Sequence, residues 1–491
     1  MPLFDTSIKK NTVLGIFISL SQYIYPIATY PYITRVLQPE GLGRISFVAS
    51  FVVFFTLLSQ LGMPIYGLRS CAKELTDKGK LQNLVAELLM VQVVSRCLAF
   101  FLYGFVVLMV LPLKQEPVLF LIYGLHILAC MVNCEWAYKA AGRYSFLALV
   151  NALFRCVAIV AVFLLVRDAA DLYWYALITL LAGTGILITE LLSLESQLGL
   201  NPYKKMYNII ASHTVLRVLR SHIQPLLVFF LMSCAVTVYS NTDTVMLGFM
   251  KNNRLVGIYN ASAKVKAVLV VFTGALWTVA LPRSAMLWKN KNIEGFRELA
   301  EKSLRMIPIV SLPLAVFFIF FSEPCIQIIA GTAYMDAVVP MRILLLAVIP
   351  IGISNIIGGQ LLIPIGQEKL LFKAELVGVI INVAANALLI PRYDVAGAAV
   401  ATLVSETVVT VVAAMYILWF VRLKILDFGL YMKSVVACGA GLLFAFIVSF
   451  SGPVIIRVTI AAVIFFFTFL AVMYLLGDEF VRTLLKSGVN R

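Results

Sequence analysis

The residues FKAELVGVIINVAANALLIPRYDVAGAAVATLVSETVVTVVAAMYILWF (372–420) hold two apolar runs, 372–391 and 395–420, parted only by Arg392-Tyr393-Asp394. A helix needs roughly 20 apolar residues to cross about 30 Å of hydrocarbon, and each run meets that length. A closed β-barrel would be written in short alternating strands, so helices remain as the way to satisfy the backbone in lipid. The rest of the chain is written alike. Of its 491 residues 62% are hydrophobic and 13% charged, with a mean hydropathy of +0.98. Soluble domains are nearer one half apolar, so this chain needs a lipid solvent.

Hydropathy and its charged punctuation predict an all-α polytopic membrane protein of about 14 transmembrane helices. The spans fall near 11–35, 45–68, 84–111, 118–140, 146–166, 172–195, 222–249, 255–281, 306–330, 338–364, 372–391, 395–420, 432–450 and 454–476. Fourteen spans use about 280 residues and leave no room for a large soluble domain. Lys9 and Lys10 before a long apolar segment resemble a signal peptide, but the segment is too long and Tyr30-Pro31-Tyr32 too bulky for a cleavage site, so it reads as an uncleaved first span. The eight cysteines, Cys130 and Cys134 among them, read as small buried hydrophobes rather than disulfides or metal ligands.

A net charge of +15 would suggest nucleic acid in a soluble protein, but here its distribution matters more than its sum, and no nucleic-acid partner is expected. With the N-terminus cytoplasmic, 26 of the 39 Lys and Arg residues fall at cytoplasmic ends and loops, among them Lys9, Lys10, Lys486 and Arg491. The opposite side holds Arg35, Arg44, Lys114, Arg167, Lys251, Arg254, Arg342, Arg392 and Arg457. This bias predicts an even number of spans and both termini in the cytoplasm. The expected location is a bacterial cytoplasmic (inner) membrane, crossed many times.

The longest polar connection follows the sixth span. It divides the chain into an N-lobe (1–197), a cytoplasmic linker (198–221), a C-lobe (222–424), and two extra spans with a tail (425–491). Gly43 and Gly257, Arg69 and Arg283, and Glu87 and Glu301 share one offset of 214 residues and fall at equivalent places in the two lobes. The expected architecture is two six-helix lobes related by a parallel pseudo-two-fold repeat, with two C-terminal helices added. Parallel repeats suit alternating access, with a substrate site between lobes near the midplane.

Charges inside a bilayer cost roughly 2.5 to 3.5 kcal/mol each on insertion scales, so each asks for a partner or a wet cavity. Lys264 lies about 15 Å into the eighth span, close to midplane. Lys266 is about 200° further round the helix and faces elsewhere. Arg96 and Arg155 are deep in the third and fifth spans, and Arg35 is near the outer end of the first. One reading makes these residues a cationic site for an anionic head group, gripped by guanidinium forks or a compact ammonium. The other pairs them within a lobe with Glu135, Glu190, Asp243, Glu375 or Glu406. The ion pair is favoured for Arg96 and Arg155. The cavity is favoured for Lys264, because its equivalent in the first half is Ser50. Asp243, in Asn241-Thr242-Asp243-Thr244, either binds a coupling cation or caps a broken helix end, and the cap is favoured. Three separated histidines, His126, His213 and His222, give little support to a proton relay.

Three segments carry a resemblance to a known family: Arg35-Val36-Leu37-Gln38-Pro39-Glu40-Gly41-Leu42-Gly43, Asp243-Thr244-Val245-Met246-Leu247-Gly248 followed by Val256-Gly257-Ile258-Tyr259, and Val395-Ala396-Gly397-Ala398-Ala399-Val400-Ala401-Thr402. In order and spacing the chain resembles the polysaccharide transporter (O-antigen/capsule oligosaccharide flippase) family of the multidrug, oligosaccharidyl-lipid and polysaccharide exporter superfamily, over nearly its whole length. The resemblance implies two lobes around a central cavity with basic residues, where Lys264 and Lys266 fit. It also implies flipping of a polyprenyl-pyrophosphate-linked oligosaccharide to the outer leaflet. Membrane lipids are the other partners, together with a polysaccharide polymerase or other envelope-assembly proteins. No cofactor is expected, and H+ or Na+ gradient coupling, through Asp243 or Glu406, stays open. Against a lipid II flippase stands the lack of a deep arginine in the first two spans. Against a multidrug/cation antiporter stands the lack of an acidic residue in the first span, since Asp5 precedes it. Against a glycosyltransferase or polymerase stand the short outer loops.

Overall fold

The computed structural model describes residues 8–110, 113, 116–447, 452–478 and 481–482, and within them the apolar stretches named above are mostly helix. Asp5, Lys114, Lys486, Arg491 and the side chains of Lys9 and Lys10 lie outside the described residues. Nine helices among the described residues are long and apolar enough to cross a membrane, or ten if one bent pair is a single crossing.

Two of the helices are each long enough for two crossings. Helix α1 (Ile8–Gln60) has 53 residues and is broken at Gln38, where φ is 57° and ψ 172°. Left unbroken it would reach about 80 Å. The opening stretch forms α18 (Glu368–Phe420), broken at Asp394 with φ 49°. A Cβ on Gly397 would lie 2.4 Å from the carbonyl oxygen of Leu389. Residues eight apart in a straight helix are separated by about 12 Å, so the chain folds back on itself at Pro391–Asp394. Proline ends the first arm, and aspartate tolerates the left-handed turn.

By its contacts the chain divides into two units, residues up to Gly257 and residues from Ile258. In the first, α1 packs with α3 (Lys78–Met109), α4 (Pro117–Ala129), α6 (Tyr144–Leu165) and α10 (Val215–Met250). Helix α7 (Leu172–Leu192) packs on α4 and α6. Short helices α2 (Met63–Glu74) and α5 (Glu135–Ala140) close one end over a core of Met63, Leu88, Trp136 and Tyr138. The ring of Tyr138 stacks on Phe146 at 5.1 Å.

The segment 198–221 differs from the expected linker. Helix α8 (Leu194–Leu198) is followed by α9 (Tyr203–Ala211), which meets the start of α10 at 113°. Helix α9 exposes Lys204 and Lys205 together with Tyr203, Tyr207 and Ile210. A helix of that make-up lies along a membrane surface. Its polar residues hide a regular element that hydropathy reads as a connection.

The second unit contains most of α11 (Asn253–Lys289), then α12 (Ile293–Met306), α13 (Leu312–Phe320) and α14 (Ser322–Ile329). It continues through α15 (Val338–Leu346), α16 (Val348–Asn355), α17 (Ile363–Ile365), α18, α19 (Phe428–Ile447) and α20 (Val454–Leu475). Two segments, Ile307–Ser311 and Ile356–Leu362, are π-helical. The first contains Pro308 and the second ends two residues before Pro364, and they absorb the extra residue that a proline-interrupted ladder leaves over. Helices α19 and α20 pack on each other and on α13, where the Phe317 and Phe465 rings lie 5.4 Å apart. In lipid, where apolar surface gains little by leaving its solvent, such close packing and interhelical hydrogen bonds hold helices together.

Candidate functional site

The intramembrane charges fall into two sets, one in each unit. In the second unit, α11 is continuous from Asn253 to Lys289 and carries Lys264 about 16 Å from its start. Lys264 and Lys266 are both half-buried, on opposite faces of the helix. Beside them Ser262 donates to the carbonyl of Ala337 at 2.9 Å, and the hydroxyls of Tyr259 and Thr402 meet at 3.2 Å. These bonds fasten the helix that bears the lysines to its neighbours and fix its rotation. Glu406 of α18 is half-buried, and its carbonyl accepts from Thr410 at 2.8 Å.

The expected ion pairs of Arg96 and Arg155 are not made. Arg96 is 1% exposed, and its guanidinium reaches Ser59 Oγ at 3.4 Å and Gln92 Oε1 at 3.3 Å. No carboxylate lies within ion-pair distance among the described residues, and its Nε has no acceptor. The Cys130 thiol and the His126 ring complete the surroundings, with Cys130 Sγ 3.6 Å from His126 Nε2. Arg155 is half-buried near Tyr25 and Glu135, but Glu135 pairs with Lys139 at 2.8 Å. The reason is geometric. A carboxylate four residues from a lysine on one helix takes that local partner, whereas a pair between spans needs both rotations to agree.

Asp243 is 5% exposed, inside α10, which runs unbroken from Val215 to Met250. It caps no helix end, which corrects that expectation. Arg35 is exposed, three residues before the Gln38 break, and donates to the Pro31 carbonyl at 2.5 Å. All eight cysteines are free, and Cys130 and Cys134 are buried.

Two features escape a reading of the sequence. Glu190 of α7 is 1% exposed, and its Oε2 has no hydrogen-bond partner among the described residues. Its being an acid within the sixth span was the available signal. His222, 7% exposed, joins Tyr66 (Nδ1 to hydroxyl, 2.8 Å) to Glu87 (Nε2 to Oε2, 3.0 Å) and so ties α10 to α2 and α3.

Residues 8–288 match the family described as "Polysaccharide biosynthesis protein". A provisionally named O-antigen transporter of Escherichia coli (strain K12) is 21% identical over 413 residues, 84% of this chain and 97% of that protein. A provisionally named low-salt glycan biosynthesis flippase of Haloferax volcanii is 30% identical over 188 residues, 38% of this chain and 39% of that one. Among solved structures, the lipid II flippase MurJ in an inward closed conformation is similar with a TM-score of 0.74 at 14% identity, covering 96% of this chain and 100% of that one. An inward-facing multidrug resistance MATE family transporter of the MOP superfamily has a TM-score of 0.56 at 11% identity, covering 82% and 97%. The fold is thus that of a polytopic helical transporter.

Proposed function

Because the chain belongs to the polysaccharide biosynthesis protein family, we propose that it is a flippase for polyprenyl-pyrophosphate-linked oligosaccharide repeat units. It would move them from the cytoplasmic to the outer leaflet for cell-surface polysaccharide synthesis, by alternating access. The relatives named as an O-antigen transporter and a glycan flippase support that reading. In it the chain sits in a bacterial inner membrane with fourteen crossings, grouped six, six and two, and both termini in the cytoplasm, as the bias of its basic residues argues.

The observation that carries the reading is the depth of Lys264 and Lys266 in α11. An ammonium at that depth can hold an anionic head group, and a pyrophosphate is such an anion. The polyprenyl chain stays in lipid while the head group enters with its sugars. Binding that is equal in inward and outward states shifts no equilibrium, so directional flux needs a gradient or removal of the product. Glu190, with one oxygen unpartnered, is the carboxyl we assign to proton coupling.

The test is leaflet transfer of a lipid-linked oligosaccharide in proteoliposomes. Lys264→Ala should abolish transfer while the protein elutes as folded monodisperse material, and Lys264→Arg should restore part of it. Transfer at the wild-type rate by Lys264→Ala would remove that lysine from the site. Glu190→Gln should transfer without response to an imposed pH gradient, and a full response would reject it as the coupling group.

A further inference from the structure

Between the second arm of α1, α3 and the first turns of α10 lies an apolar groove of about 470 Å³. Leu58, Leu98, Leu102, Leu219 and Ile223 line it, and Arg220 stands in it as the one charged residue. Along α3 the lining runs from Val94 to Leu102, about 12 Å of the roughly 15 Å depth of one hydrocarbon leaflet. Arg220 is about 8 Å from the start of α10, where the chain bends by 113° into the surface helix α9. The arginine is therefore at head-group level, and the leucines are at acyl-chain depth.

Arg217 is exposed one turn earlier on the same side of α10 as Arg220, which is also exposed. Neither has an ion-pair partner within 4 Å among the described residues. The acidic residue of α3, Glu87, is engaged by His222. A positive rim without a protein counter-charge, above a slot lined by apolar side chains and by Ser95, whose hydroxyl is already given to the Ser59 carbonyl at 2.7 Å, is complementary to a molecule with one anionic head and one hydrocarbon tail.

We infer that this groove is a binding site for an anionic membrane phospholipid, its phosphate on Arg220 and Arg217 and one acyl chain along Leu58, Leu98 and Leu102. The site is separate from Lys264 and does not depend on the transport reading. The lipid would fasten the bend between α9 and α10 to α3.

The test is lipid retention. Protein reconstituted in phosphatidylcholine vesicles containing phosphatidylglycerol is re-extracted in mild detergent, and bound lipid is counted by native mass spectrometry. Wild-type protein should keep one phosphatidylglycerol. The Arg217→Gln/Arg220→Gln double variant should bind it roughly thirtyfold more weakly, from about 1 kcal/mol per basic residue near the surface. Leu98→Trp, which fills the slot without touching the charge, should also lose it, whereas Lys204→Gln/Lys205→Gln on α9 should keep it. Equal retention by the arginine double variant, equal retention of phosphatidylcholine, or displacement of phosphatidylglycerol by an equimolar polyprenyl phosphate would each overturn the assignment. Size-exclusion profiles and helical content of every variant separate lost binding from lost fold.

Discussion

Gly43 and Gly257 meet backbone to backbone. A Cβ on Gly43 would lie 1.6 Å from the Asn253 carbonyl oxygen and 2.9 Å from the Gly257 nitrogen. A Cβ on Gly257 would lie 2.0 Å from the Pro39 carbonyl oxygen and 3.2 Å from the Gly43 nitrogen. The four residues pair under the same 214-residue offset, Pro39 with Asn253 and Gly43 with Gly257, so the contact is reciprocal. Reciprocity of that kind is what a local two-fold axis produces. Small residues let helices approach this closely in lipid.

Gly43→Ala and Gly257→Ala should therefore each force the two backbones apart, at an overpacking cost of about 1–3 kcal/mol. Thermal unfolding in detergent should show both variants less stable than wild type. Gly104→Ala, where a Cβ would meet nothing within 4 Å, should be neutral or slightly stabilised. A wild-type melting curve for Gly43→Ala would mean that this approach is looser than described.

That contact also shows what the sequence discloses. Apolar runs long enough to span are legible because their length is fixed by the bilayer, and Pro39-Glu40-Gly41 and Pro391-Arg392-Tyr393-Asp394 punctuate them in one dimension. The repeat offset was legible at Gly43 and Gly257, but not that the two glycines touch. The Arg96 and Arg155 partners were illegible, since pairing between spans depends on rotation about each helix axis. Helix α9 was hidden because a surface helix carries the same lysines as a loop. The depth of Lys264 followed from counting along α11, whereas the unpartnered oxygen of Glu190 needed three-dimensional neighbours.

Arg96→Met is expected to leave the protein as stable as wild type or more so, by about 1–3 kcal/mol. A buried guanidinium without a carboxylate has lost its water and, among the described residues, recovers long hydrogen bonds to Ser59 and Gln92 and the weak acceptor of the Cys130 thiol. Well-packed apolar replacements of buried charges are often neutral or stabilising. Gln92 keeps its own bond to the Asn133 carbonyl at 3.0 Å, so the substitution strands no amide nitrogen. Differential scanning fluorimetry checks this, and a clear fall in melting temperature would count against it.

Asp77 caps α3 from outside the membrane by accepting from the backbone N–H groups of Gly79 and Lys80, both at 3.0 Å. The Lys80 N–H is the leading cause that holds its carboxyl below the ordinary value of 3.8, with the Gly79 N–H and the Lys80 charge adding to it. Because the folded value is depressed, the cap contributes fully above the unfolded value and is lost as pH falls through the folded one. Protection of the Gly79 and Lys80 amides, their exchange relative to the intrinsic rate at the same pH, should fall below about pH 4 in wild type. Asp77→Asn should keep its protection across that range, because its amide oxygen still caps but does not titrate. Asp77→Ala should lack that protection at every pH. Wild-type and Asp77→Asn profiles of the same shape would reject the carboxylate as the cause.

Tyr66, His222 and Glu87 form a chain in which the acceptor-only carboxylate sets the direction. A carboxylate can only accept, so His222 Nε2 donates to Glu87, while the Tyr66 hydroxyl bonds the other ring nitrogen, Nδ1. Tyr66→Phe removes one hydroxyl and Glu87→Gln one charged acceptor, each costing about 1 kcal/mol in the first unit. The two substitutions share His222, so their combined effect should depart from the sum by about 0.5 kcal/mol or more. With His222→Phe as background, the chain is cut at its middle and the same pair should become additive. Denaturant or thermal unfolding of the four proteins of each cycle measures the coupling. Additivity in the wild-type background would show that the ring holds its two neighbours independently, with no coupling passed through it.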